Sequence, residues 1–174
     1  KRMKELSAAV AAPIANQDTP SLPEWDLGEL YTAPDSPAIQ ADLDWAGTQA
    51  KDFNAAYAGR LDDLEHSEFG RAIERFEAII ERLHKVMSFA QLVFAGDQGD
   101  PERGRFLQTM QERYNAIYAD LLFFTLEINR MEDDPLEAKL SDPVVKRYWP
   151  WLRDTRVFRP HQLSDELEKL LHDK

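Results

Sequence analysis

The residues best suited to chemistry in this chain are its 4 histidines, His66, His84, His161 and His172. Two histidines one helical turn apart, with a glutamate between them, would hold a metal ion and activate its water. No pair here has that spacing. The stretch "ERLH" places Glu81 three residues before His84. Glu-x-x-His on a bundle helix is half of a carboxylate-bridged di-iron site, which needs a second such motif and further inward glutamates. The chain contains neither, and both residues flank the apolar Leu83, so the spacing points them to solvent. A degenerate ferritin-like metal bundle is therefore a remote reading. His161, in "RPHQL", stands beside Pro160 at a helix entrance and reads as a structural histidine before a ligand. Lys146, Arg147, Arg153, Arg156 and Arg159 cluster in an acidic chain. They could receive an anion or a peptide carboxyl group, but ion pairing with neighbouring Asp and Glu is the favoured expectation. No glycine-rich phosphate loop and no serine in a nucleophile elbow occurs. The reading assigns no catalytic, cofactor-binding or metal-ligating residue.

Such residues must be held by an ordered frame, and the composition permits one. The 174 residues suit a single domain, and 43% hydrophobic content can fill a core. With 32 acidic against 21 basic residues, the formal net charge is -11. That balance argues against nucleic acid and anionic membrane surfaces as partners. The absence of cysteine removes disulfides, thiol nucleophiles and thiolate metal sites, and fits a cytoplasmic location. No apolar run approaches the ~20 residues that span a bilayer. The opening "KRMKELSAAVAAPIAN" is only faintly like a secretion signal, because its apolar part is short and broken by Pro13. Residues 1–21 are expected to form a flexible extension and residues 22–174 a helical domain.

The expected class is all-α: a long antiparallel helical hairpin within a small bundle, with short helices following. The proline-rich "TPSLPEWDLGELYTAPDSP" reads as a strap laid on the core by Trp25, Leu27, Leu30 and Tyr31. Three stripes then step by four and three. One carries Ile39, Leu43, Ala46, Ala50, Phe53 and Tyr57, with Asp35 or Ser36 as cap and Pro37 in the first turn. The next carries Phe69, Ile73, Phe76, Ile80, Leu83, Met87, Ala90 and Phe94, spanning roughly 39 Å. The third, Leu107, Met110, Tyr114, Ile117, Leu121, Phe124, Ile128 and Met131, predicts one unbroken helix. Between the last two, Gly96 can end one helix and Asp100 with Pro101 can open its antiparallel neighbour. "DDPLEAKL" offers Asp134 as cap with Glu137 completing a capping box, and "SDPVVKRY" repeats the device at Asp142. "WPWLRDTRVF" predicts a short helix opening at Pro150. Ser164 caps a final helix with Leu167, Leu170 and Leu171 on one side.

Three stretches, "LPEWDLGELY", "DPERGRFLQTMQERYNAIYADLLFFTLEINRM" and "RYWPWLRDTRVFRPHQLSDELEKLL", resemble the amino-terminal part of oligoendopeptidase F enzymes, zinc metallopeptidases related to the thimet oligopeptidases. The resemblance implies a largely helical, cytoplasmic enzyme, longer than this chain, that cleaves short peptides in a deep channel. It implies zinc bound by a His-Glu-x-x-His helix and a distant glutamate, all in a carboxyl-terminal catalytic domain. None of those ligands has a counterpart here. It further implies that the 174 residues are a piece of such an enzyme, inactive alone and without a cofactor of their own. The domain would wall or cover the channel, with the catalytic domain and short peptides as partners. The rival expectation is a stand-alone acidic helical module for binding or scaffolding. Oligomeric state and peptide preference stay open.

Overall fold

The computed structural model describes residues 25–172 of the chain, and every regular element among them is helical. The expected extension over 1–21 lies outside the described residues. In order, the helices are α1 (Pro37–Tyr57), α2 (His66–Gly96), α3 (Pro101–Tyr118), α4 (Leu122–Arg130), α5 (Asp133–Lys139), α6 (Pro143–Arg147), α7 (Trp149–Arg156) and α8 (Asp165–His172), with a 3-10 turn at Arg159–His161.

The centre is α2, which packs on α1, α3, α5 and α6. It forms the expected hairpin with α3: the link between Gly96 and Pro101 is too short for anything but antiparallel neighbours. Asp100 opens α3 as predicted, its Oδ1 accepting the Glu102 amide at 2.8 Å. Gly96 closes α2 from inside the helix, without the left-handed conformation of a glycine cap. Its lack of a side chain serves another purpose. A Cβ there would stand 2.9 Å from Arg103 Nη1, which crosses the tip to donate to the Val93 carbonyl at 3.0 Å. At the opposite end of α2, Gly59 (φ 75) turns the chain out of α1 in a conformation that side chains resist.

The core stripe of α1 is as predicted from Ile39 to Phe53, with Tyr57 half-buried at its end. Ser36 occupies the cap position but makes no side-chain cap bond, so Pro37 alone marks that start chemically. On α2 the stripe is wider than predicted. Ile79 is fully buried, while Ile80, the expected core residue, is half-buried beside it, and Phe94 is half-buried near the tip. A helix enclosed by four neighbours buries more than one row of side chains.

The third stripe is a correction. Its apolar spacing continues, but the helix does not: the chain turns over 119–121 between α3 and α4. There the Asp120 and Leu121 amides bond only three residues back, to Ile117 and Tyr118, at 3.2 and 2.8 Å. The Asp120 carbonyl is taken instead by Asn54 Nδ2 of α1 at 2.8 Å. A tertiary hydrogen bond thus compensates for the lost helical one. The turn drives Phe123 and Phe124 into an aromatic cluster with Phe53 of α1, Phe76 of α2 and Trp151 of α7. The ring centroids of Phe124 lie 5.1 Å from Phe53 and 4.8 Å from Phe76. Such offset and edge contacts add to the apolar burial of each ring.

Short helices complete the body. α5 begins at Asp133 with Glu132 as its flanking residue and no side-chain cap, so the box expected from Asp134 and Glu137 does not form. Asp142 does cap α6, accepting the Val144 and Val145 amides at 2.8 and 3.3 Å. α7 carries proline in its first turn, as predicted from Pro150. At α8 the Ser164 carbonyl takes the first helical bond from the Glu168 amide at 2.9 Å, and the Glu168 carboxylate returns to the Leu163 amide at 2.9 Å.

Candidate functional site

The strap that precedes α1 is pinned by Tyr31, whose side chain is buried. Its hydroxyl donates to Asp42 Oδ2 at 2.6 Å, and Asp42 Oδ1 receives Arg82 from α2 at 2.8 Å. The ring meets Phe89 edge-on at 5.3 Å, and Lys85 Nζ sits 4.4 Å from its centroid. Burial, with the adjacent Asp42 carboxylate second, raises the phenol well above its ordinary pKa. Asp26 shapes the strap's first turn by accepting the Gly28 amide at 2.8 Å. Leu27 and Leu30 pack on the core, as expected, but Trp25 does not: it is 81% exposed.

Pinned in this way, the strap stands off the tip of the α2–α3 hairpin and leaves a cleft of about 1250 Å³. Leu27, Phe89, Val93 and Phe106 supply apolar lining, while Asp26, Asp35, Asp100 and Glu102, with Arg103 among them, supply charge. The cleft is somewhat larger than an ordinary small-molecule pocket and open to solvent. Its one phenol, Tyr31, is already committed to Asp42.

The residues singled out by type do not converge. Glu81 and His84 are both exposed on α2, and the imidazole lies over the Tyr114 ring at 6.2 Å, nearly parallel. Tyr114 stacks in turn on Tyr118 at 5.6 Å, and burial raises the pKa of both phenols. His66 meets the Ser141 hydroxyl at 2.8 Å, and His161 is exposed in the 3-10 turn. Among the described residues no three His, Asp or Glu side chains stand close enough to hold a metal ion. The zinc implied by the resemblance therefore has no fitting donor set among them.

The basic segment is tied up in ion pairs, in line with expectation. Arg147 reaches Glu74 at 3.2 Å, and Arg153 reaches Asp154 at 2.7 Å. Arg159 reaches Glu132 at 3.0 Å and Asp133 at 3.2 Å. Lys146 is exposed on α6. Arg156 does more than pair with Asp133. Its Nη1 also donates to the carbonyls of Ile128 and Met131 at 2.8 and 2.6 Å. It thereby caps the C-terminal end of α4, where a cation also complements the helix dipole.

Sequence reasoning missed Lys139. This lysine, only 3% exposed, ends α5 and donates to the backbone carbonyls of Asp62 and Leu64 at 3.1 and 2.6 Å. Its ammonium also lies 5.4 Å from the Phe69 ring centroid. Desolvation lowers its pKa, opposed by Asp62, Glu65 and Asp63. The available signal was weak: a lysine at a helix C-terminus followed by Leu140, facing an acidic loop.

No helix among the described residues is long and apolar enough to cross a membrane. No curated protein and no solved structure matches the chain. Residues 127–174, running from the second half of α4 through α8, match the family model described as Oligopeptidase F. That match takes in "RYWPWLRDTRVFRPHQLSDELEKLL" whole and the last residues of the stretch ending at Met131, while "LPEWDLGELY" lies outside it. Over the segment that holds the ion-paired arginines and α8, the chain is similar to the amino-terminal domain of oligopeptidase F, a peptidase family.

Proposed function

We propose that residues 22–174 are the amino-terminal, non-catalytic helical domain of a zinc metalloendopeptidase that hydrolyses short peptides. The observation that carries this reading is the match of residues 127–174 to oligopeptidase F. In this reading the domain walls the substrate channel and selects peptides by access, while zinc and the water-activating glutamate belong to a catalytic domain in the same cytoplasmic enzyme. The α2–α3 hairpin supports it physically. Its α2 arm is locked into the core by Phe69, Ile73, Ile79, Leu83 and Phe89, with Met110 of α3 buried beside it, and a close-packed wall is what selection by length requires.

The test is a ladder of quenched-fluorescence peptides offered to the 174-residue chain and to the longer enzyme. The chain alone should cleave none. The longer enzyme should cleave short peptides and stop on chelation. Phe89 lies in the core near the hairpin tip, against Tyr31 and Phe106. Phe89→Ala in the longer enzyme should shift the length cutoff or the turnover at constant zinc content. Chelator-sensitive cleavage by the chain alone would end the non-catalytic reading. A reading frame that stops near Lys174 without reaching a His-Glu-x-x-His motif would favour the stand-alone acidic module instead.

A further inference from the structure

The cleft between the strap and the tip of the α2–α3 hairpin joins two kinds of surface. One is apolar and belongs to the packed body: Phe89 is buried, Leu27, Val93 and Phe106 are half-buried, and the rings of Phe89 and Phe106 meet edge-on at 6.1 Å. The other is acidic, and its carboxylates are only partly satisfied. Asp26 spends one oxygen on the Gly28 amide. Asp100 caps α3 and lies 3.6 Å from Arg103 Nε, while Arg103 Nη1 is held by the Val93 carbonyl. Glu102 pairs with Arg105 where both are exposed, a position in which an ion pair is worth little. Asp35 is exposed and has no partner among the described residues. These carboxylates outnumber the two arginines that meet them, and a concave site concentrates the field of the excess charge. Trp25, which also lines the cleft, is 81% exposed, so its ring is open to a cation.

We propose that this cleft binds a basic amphipathic peptide segment, one in which lysine or arginine alternates with large apolar side chains. This goes beyond the peptidase reading and does not depend on it, since the binding needs neither zinc nor a catalytic domain. Three observations select the occupant. The excess of carboxylates, with the exposed indole beside them, selects a cation. The apolar lining selects a ligand with side chains to bury, which a simple polyamine lacks. The volume, about 1250 Å³ and open to solvent, suits a stretch of chain better than an enclosed small molecule. An extended peptide meets all three demands. Its side chains alternate in direction, so apolar ones can enter against Phe89, Val93 and Phe106 while basic ones stay with Asp35 and Trp25.

The experiment is fluorescence anisotropy of a labelled hexapeptide, lysine alternating with leucine and phenylalanine and capped at both ends, titrated with the 174-residue chain. Saturable binding that weakens with added salt is expected. Two companion peptides, one with glutamate for lysine and one with serine for the apolar residues, should each bind about tenfold more weakly or not at all. Asp35→Asn and Trp25→Ala should each weaken binding about threefold, and together about tenfold. Melting should not change, since both side chains are exposed. Asp52→Asn removes the same charge from an exposed position on α1 outside the cleft and should leave binding as it was. Absence of saturable binding overturns the proposal. Binding that Asp52→Asn weakens as much as Asp35→Asn overturns it too, because the attraction is then to the acidic surface at large. Equal binding of the serine peptide, or full displacement of the hexapeptide by spermine at equal concentration, assigns the cleft to a simple polycation instead and overturns the peptide reading.

Discussion

At the scale of single residues, one polar anchor is Lys139, buried with two backbone carbonyls as acceptors. A buried lysine is tolerated only when its donors are used, and its acceptors lose as much as it does when it is removed. Lys139→Ala leaves the Asp62 and Leu64 carbonyls without that partner and opens space beside Phe69. The expected loss is about 2–3 kcal/mol in chemical denaturation, while exposed Lys146→Ala should stay within about 0.5 kcal/mol. Equal effects of the two would remove the anchor role. Neither the buried lysine nor the capping of carbonyls by Arg156 was legible in the sequence. Lys139 lies 77 and 75 residues from its acceptors, and Arg156 lies 28 and 25 from its own, so no local pattern announces them.

At the scale of elements, the stripe of α2 separates two neighbours that periodicity could not rank. Ile79 is 0% exposed and Ile80 is half-buried. Ile79→Ala should cost about 2–5 kcal/mol, and Ile80→Ala clearly less, as half-buried side chains leave smaller cavities. Thermal melts of both variants check this, and the reverse order would mean that α2 is rotated about its axis. The break between α3 and α4 has the same origin. Apolar spacing runs evenly through Tyr114, Ile117, Leu121 and Phe124, so the sequence predicts continuity. What ends the helix is a partner elsewhere: Asn54 takes the Asp120 carbonyl, and the cluster around Phe53 takes Phe123 and Phe124.

At the scale of the whole molecule, the fold holds several phenols whose pKa is raised, chiefly by burial: Tyr31, Tyr114, Tyr118 and Tyr148. In the unfolded chain a tyrosine ionises near its ordinary value, about 10. A raised folded value means that the native state keeps protons which the unfolded state releases. Stability is therefore fully present below about pH 10 and falls as pH rises above it. Lys139 works in the opposite sense: its lowered folded value adds stability as pH rises from that value towards the unfolded one, about 10.5. Melting temperature should thus decline steeply only above about pH 10, and Tyr118→Phe should blunt the decline. A flat profile to the end of the alkaline range would show that these phenols ionise freely in the fold.

The sequence by itself determined the all-helical class, the α2–α3 hairpin, the caps at Asp100 and Asp142, and the likeness to oligopeptidase F. Each structural feature among these rests on neighbours in the chain: a period of 3.6, a carboxylate two residues from the amide it caps, a proline in a first turn. Tertiary structure alone decided where the third stripe breaks, which isoleucine of α2 enters the core, how Lys139 is satisfied, and that the leucines of α8 face outward. The physical reason is the range of the interactions. Helix formation and capping are settled within a turn or two, but burial depends on which surfaces the folded chain brings together, and an amphipathic stripe states only that it needs a partner, not which one it finds.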